Sequence, residues 1–255
     1  DIPNNRIMEF HPNTGETHVY KENVEFTNGR TLDHDGSVIQ CSHGNRRVER
    51  DRNGVISTVI DSYNGVKFNS PNDVVVSKDG TVWFTDPPYG IIVKEEGHPG
   101  VREYGDCYVF AFSPTTGELR PAITDVEEPN GLAFSPDEKL LYVADTSVLF
   151  KPTGNHHIRV YDMENGRAKN GRHFATINEG VSDGFRVDIF GNVWSSSLIG
   201  VQIFSADGEK IGLIPVPEKV GNLCFGGDDG HDLYIAATTS IYRIKTASQD
   251  AAKHY

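Results

Sequence analysis

Cysteine is scarce in this 255-residue chain: Cys41, Cys107 and Cys224 are an odd number at wide spacing, with no C-x-x-C pair. That argues against a disulfide framework or a structural zinc site and predicts three buried thiols. Basic residues are also few, 24 Lys and Arg against 36 Asp and Glu, for a formal charge of −12. Neither a nucleic acid nor an anionic membrane is an expected partner, because a phosphate-binding face needs clustered cations. No run approaches the roughly 18 consecutive apolar residues of a membrane span, so the expectation is a soluble chain of the cytoplasm or periplasm. The chain opens at Asp1 with no visible signal peptide. No G-x-S-x-G elbow, HExxH helix, GxGxxG turn or P-loop is expected, so serine-hydrolase, zincin, Rossmann and NTPase readings lose their usual support. No segment sustains apolar residues at i, i+3, i+4 and i+7, so a helical solenoid is excluded too.

What the chain does contain is a repeat. NGRTLDHDGSVIQCS, PNDVVVSKDGTVWFTD, PNGLAFSPDEKLLYVAD, SDGFRVDIFGNVWSSS and GNLCFGGDDGHDLYIAAT share one order: a small polar residue, an apolar run, an acidic or Gly turn, and a second β-rich run. The leading polar residues are Asn28, Asn72, Asn130, Asp183 and Asn222, and Ile39, Trp83, Tyr142, Trp194 and Tyr234 follow them at offsets of 11, 11, 12, 11 and 12. Each copy reads as an antiparallel hairpin. Between copies lie second hairpins: NRIMEFHPNTGETHVY, RRVERDRNGVISTVI, CYVFAFSPTTGELRP, IRVYDMENGRAKNGRHFA and VQIFSADGEKIGLIPV. Two hairpins per repeat make a four-stranded propeller blade. Five inner hairpins face five outer ones plus the lone strand SIYRIKT, a count that predicts an all-β, six-bladed β-propeller spanning 1–255 as a single domain. Its first inner hairpin, within some 40 residues, would precede Asp1.

In a propeller the residues just before the innermost strands ring one mouth, which would gather the oxygen donors Asn28, Asn72, Asn130, Asp183 and Asn222. Asn and Asp also favour turns and strand starts for local reasons. A ring of five suits a hard cation such as Ca²⁺, Mg²⁺ or Mn²⁺. The ends of the paired strands would add His43, Thr85, Asp86, Tyr89, Asp145 and Thr146, able to hydrogen-bond a polyhydroxylated substrate. The competing readings are a strand-end carboxylate for Asp86 and Asp145, and a solvated loop for His43 beside Arg46 and Arg47. His98, His156, His157 and His231 form no ligand set and are expected to face solvent. The loop from Glu95 to Gly105 is placed to cover a site.

The strings SPNDVVVSKDGTVWFTDPPYG, EPNGLAFSPDEKLLYVADT and SDGFRVDIFGNVW resemble the gluconolactonase, regucalcin (senescence marker protein) and luciferin-regenerating family of six-bladed propellers, and the likeness extends over nearly the whole chain. The first string is most similar to bacterial gluconolactonase-like members. The resemblance implies a hydrolase of small lactones with one divalent cation, usually Ca²⁺, with Mg²⁺, Mn²⁺ or Zn²⁺ as alternatives. It assigns metal binding to Asn130, Asp183 and Asn72, together with a first-blade Glu that has no counterpart here. Asp183 would also take the proton of the attacking water, while Asn72 and Asn28 orient the lactone and Asp86, Tyr89 and His43 meet sugar hydroxyls. Two rivals stand beside this reading: a phosphotriesterase or esterase propeller, and a non-catalytic calcium-binding or interaction propeller. The sequence carries no signature of an oligomeric state.

Overall fold

The structure, a computed structural model, describes residues 1–252. Alternating burial and tight turns make strands the dominant regular element, with helix confined to single short turns. In the first compact unit, Asp1–Thr124, β1 (Arg6–His11) pairs with β2 (Glu16–Glu22). The strands β3 (Thr27–Leu32), β4 (Val38–Ser42), β5 (Arg47–Arg52) and β6 (Val55–Ile60) form one antiparallel sheet in that order. A short ribbon of β7 (Ser62–Tyr63) and β8 (Val66–Lys67) leads to a second sheet of β9 (Val74–Val76), β10 (Val82–Asp86), β11 (Tyr108–Phe112) and β12 (Leu119–Ile123). One helical turn, α1 (Tyr89–Ile92), follows β10.

The second unit begins at Asp125. Its first sheet holds β13 (Pro129–Phe134), β14 (Leu140–Asp145), β15 (His157–Glu164) and β16 (Arg167–Thr176). The next holds β17 (Phe185–Val187), β18 (Val193–Ser197), β19 (Gly200–Phe204) and β20 (Lys210–Pro215). The last holds β21 (Val220–Gly226), β22 (Asp232–Ala237) and β23 (Ile241–Lys245). All ten hairpins read from the sequence are present, and each four-stranded sheet joins an inner pair to an outer pair.

The fold is therefore an all-β propeller type, but the described residues form five blades and not the expected six. Four have four strands and the fifth has three. The expected sixth blade has the β1–β2 hairpin as its outer half. With no inner pair among the described residues to bond, that hairpin stands as a two-stranded sheet. The strand SIYRIKT, as β23, bonds β22 alone among the described residues.

Burial falls from the inner to the outer strands. Every residue of β10 is buried, whereas β6 and β20 are largely exposed on one face. Apolar faces of successive sheets meet: Phe68, Phe84 and Phe110 pack with ring centroids 5.1–5.4 Å apart in the first unit, and Tyr142, Ile158, Phe185 and Phe204 share a cluster in the second. Aromatic burial of this kind dominates core energetics. Outer turns use Asn-Gly pairs with both residues left-handed, as at Asn53-Gly54 (φ 53° and 84°) and Asn165-Gly166 (φ 50° and 70°), the geometry that matches strand twist. Among the described residues no helix is long and apolar enough to cross a membrane.

The alternation also corrects one thiol. Cys41 and Cys107 are buried as expected, but Cys224 is exposed. On β21 the neighbours Leu223 and Phe225 turn into the core, which places the residue between them on the opposite face.

Candidate functional site

In the first unit the site is built around His43, which follows β4 and is completely buried. The competing reading of a solvated loop gives way to an enclosed imidazole, because the loop after α1 folds over it. The Nδ1 atom lies 3.0 Å from the Glu96 carbonyl oxygen, so Nδ1 carries the hydrogen. Burial lowers the ring's pKa to about 4, against a small opposing effect of that carbonyl, and the imidazole is neutral at pH 7. Its Nε2 then accepts from the side-chain amides of Asn28 and Asn72, each at 3.3 Å. Asn72 is fixed by its backbone: its N–H donates to Thr85 O at 2.8 Å and its carbonyl accepts from Gly29 N at 2.7 Å. Three of the residues expected at the site are therefore brought together, Asn28 and Asn72 each meeting His43.

Asp86, Thr85 and Tyr89 are placed differently. Asp86 is fully buried and both its oxygens are engaged, by Asn69 N–H and Ser70 N–H at 2.8 Å each and by the Tyr104 hydroxyl at 2.5 Å. Its role is to clasp the segment before β9, and no oxygen is left facing outward for a sugar. Burial raises its carboxyl to about 7, although Tyr104, Asn69 and Ser70 all favour the ionised form. Thr85 Oγ1 accepts the Asp73 N–H at 3.0 Å, and Tyr89 is buried in α1.

The cover over His43 is pinned. Arg46 donates to Phe68 O, Asn69 O and Val101 O and pairs with Glu103 at 2.9 Å. His98 pairs with Glu25 at 2.9 Å. Glu25 and Phe26 are consecutive left-handed non-glycine residues, φ 52° and 53°, a local cost that the surrounding contacts hold in place.

In the second unit, Asn130 lies buried on β13 and Asp183 half-buried just before β17. The Asp183 N–H donates to Ser196 Oγ at 2.9 Å, and its carbonyl accepts from Gly131 N at 2.9 Å. Its Oδ2 lies 3.8 Å from where a Cβ on Gly221 would be, so the carboxylate reaches toward the neighbouring inner strand. Asn222 bonds its own strand, Oδ1 accepting Leu223 N–H at 2.8 Å, and fills the space beside Gly184. Asp145 repeats the Asp86 clasp: it accepts from the backbone of Glu127, Glu128 and Ser147 and from Asn155. Burial pushes its carboxyl up, but the hydrogen bonds win and hold it below the usual range. Thr146 is buried beside it, its N–H on Glu128 O.

Sequence reasoning passed over two features. Gly follows the leading residue in three copies, and each Gly N–H bonds the backbone of the next inner strand: Gly29 to Asn72 O, Gly131 to Asp183 O, Gly184 to Gly221 O, at 2.7–2.9 Å. A Cβ would collide at each. The recurring Asn-Gly and Asp-Gly spelling was the available signal. Residues 180–184 also spell G-x-S-x-G. Ser182 is buried, accepts from Ser195 Oγ at 2.8 Å and precedes a strand, so this is not a nucleophile elbow on a strand-to-helix turn. Of the four histidines expected to face solvent, only His98 is exposed; His157 is half-buried, and His156 and His231 are half-buried on Ile177 O and Ser248 O.

Among the described residues no three His, Cys, Asp or Glu side chains gather as a metal cluster. The expected donors are instead amide and carboxylate oxygens. Asn130 and Asp183, on elements bonded through Gly131, fit the preference of a hard divalent cation for oxygen.

Residues 1–239 match the family model described as the SMP-30/Gluconolactonase/LRE-like region. The chain is 35% identical to a gluconolactonase of Zymomonas mobilis over 237 residues, 86% of this chain and 63% of that protein. It is 29% identical to the pentonolactonase XacC of Haloferax volcanii over 92% of this chain and 75% of that one. A solved gluconolactonase from Xanthomonas campestris is similar with a TM-score of 0.88 and 33% identity, covering 96% of this chain and 80% of the other. The chain thus spans just under two thirds of the length of the Zymomonas relative. It belongs to the SMP-30/gluconolactonase/LRE-like family.

Proposed function

We propose that this chain hydrolyses small lactones, an aldonolactone such as gluconolactone first among them, with one divalent cation. The observation that carries the reading is the setting of Asp183. Its main chain is fixed on both sides, by Gly131 and Ser196, and its carboxylate is half-buried beside Gly221. Relatives named gluconolactonase and pentonolactonase support the chemistry.

Asn130 and Asp183 would hold the cation through oxygen; the family motif offers Asn72 either as a further ligand or as the residue that orients the lactone, and its amide oxygen accepts no hydrogen bond among the described residues. Ca²⁺ suits such donors best, ahead of Mg²⁺, Mn²⁺ and Zn²⁺. When bound, a cation of this kind polarises the lactone carbonyl and stabilises the negative charge that develops there.

The residues of the chain do the rest. Asp183 accepts a proton from water as its oxygen bonds to the carbonyl carbon. The ring C–O bond then breaks, and the proton passes to the departing ring oxygen, giving the open hydroxy acid. Asn28 and Asn72 accept hydrogen bonds from substrate hydroxyls and fix the ring.

The test is base-consumption titration of gluconolactone hydrolysis, before and after chelation, with each of the four cations added back. Loss on chelation and recovery with Ca²⁺ supports the reading. No turnover with any cation overturns it, and full turnover after exhaustive chelation overturns its cation.

A further inference from the structure

We propose that His43 is a positioning residue that sets the polarity of the substrate site, turning the amide oxygens of Asn28 and Asn72 outward as acceptors for substrate hydroxyl groups. This rests on the lactonase reading above. A carbonyl oxygen can only accept, so the 3.0 Å contact between His43 Nδ1 and Glu96 O requires an N–H at Nδ1. The Nε2 atom faces the NH₂ nitrogen of each side-chain amide, and an NH₂ group only donates, so Nε2 presents a lone pair to them. Both Asn28 Nδ2 and Asn72 Nδ2 lie 3.3 Å from it.

Two amides thereby point their oxygens away from the ring. Among the described residues no donor reaches either oxygen, and neither is sealed from solvent. Each amide nitrogen spends one of its two N–H bonds on Nε2, and the two open amide oxygens favour a ligand rich in O–H groups. The orientation is imposed from residues 94–96, since the Glu96 carbonyl selects the tautomer. This places a backbone atom of the covering loop in control of the substrate-facing edge of Asn28 and Asn72, a second-layer device of the kind that orients metal-bound histidines.

Two variants and two lactones test it, with the divalent cation held at saturation. Gluconolactone carries hydroxyls; δ-valerolactone has the same ring size and none. His43→Leu removes the acceptor and frees both amides, and should raise KM for gluconolactone roughly tenfold while leaving that for δ-valerolactone within about twofold. His43→Gln keeps one donor for Glu96 O and one acceptor for the amides, and should restore the wild-type ratio. Equal changes for both lactones, or a Gln variant no better than Leu, overturn the proposal. Nitrogen-15 NMR of the wild-type imidazole decides the tautomer without any variant: a protonated Nδ1 and a bare Nε2 are expected, and the reverse assignment overturns the proposal. If the wild type hydrolyses neither lactone, the lactonase reading falls, and the tautomer measurement still decides the orientation of the amides.

Discussion

The N–H of Gly131 donates to the carbonyl oxygen of Asp183 at 2.9 Å, and a Cβ on residue 131 would sit 2.3 Å from that same oxygen. The carboxylate assigned to water activation is thus seated on a segment, just before β17, that can approach only because its neighbour has no side chain. Gly131→Ala must push Asp183 aside or open the contact between β13 and the start of β17. The expected cost is about 1–3 kcal/mol of stability, with about a hundredfold loss of lactone kcat/KM from the displaced carboxylate. Chemical denaturation and hydrolysis rates on the same sample check it. Wild-type values for both would show that the close approach has no consequence.

Asp86 supplies a pH signature. Burial raises its carboxyl to about 7, above the value near 4 of an unfolded chain. The native state then holds a proton that the unfolded state has lost between those values. This contribution to stability is complete below about pH 4 and disappears as pH rises through 7. Asp86→Asn should flatten that part of the stability profile, measured as denaturation midpoints from pH 4 to 8. An unchanged slope in the variant would assign the effect elsewhere.

Arg46 ties the cover to the sheet through three backbone carbonyls and Glu103, with only 13% of its side chain exposed. Replacing it with Ala leaves those acceptors unpaired and should cost roughly 2 kcal/mol. Hydrogen exchange should accelerate across residues 94–105 while β9–β12 stay protected. Uniform acceleration everywhere would point to global loss of stability in place of a released loop.

Thiol chemistry distinguishes the three cysteines. One thiol, Cys224, should react with an aromatic disulfide reagent in the native protein, and Cys41 and Cys107 only on unfolding. Cys224→Ser should abolish the native reaction; three equivalents in the folded state would contradict the burial described.

The hairpins were legible because their signals are local. Alternation and Asn-Gly or Asp-Gly turns lie within a dozen residues of the strands they specify, so all five inner pairs fall where the Asn and Asp register puts them. The burial of His43 was not legible, since its cover is Glu96, 53 positions along the chain. Asp86 likewise reads as a free strand-end carboxylate until Asn69, Ser70 and Tyr104 are brought to it. The blade count failed for another reason: a hairpin was credited with partners that the described residues do not contain. Cys224 could have been placed correctly, because its neighbours Leu223 and Phe225 already declare which face is inward.

The most direct test of the account is gluconolactone turnover by Asp183→Asn against wild type at saturating divalent cation, with circular dichroism and thermal melting to confirm the fold. The amide keeps the shape but is a poor proton acceptor. The account predicts an intact fold and a loss of at least about a hundredfold in kcat. A folded variant that turns over at the wild-type rate would contradict it.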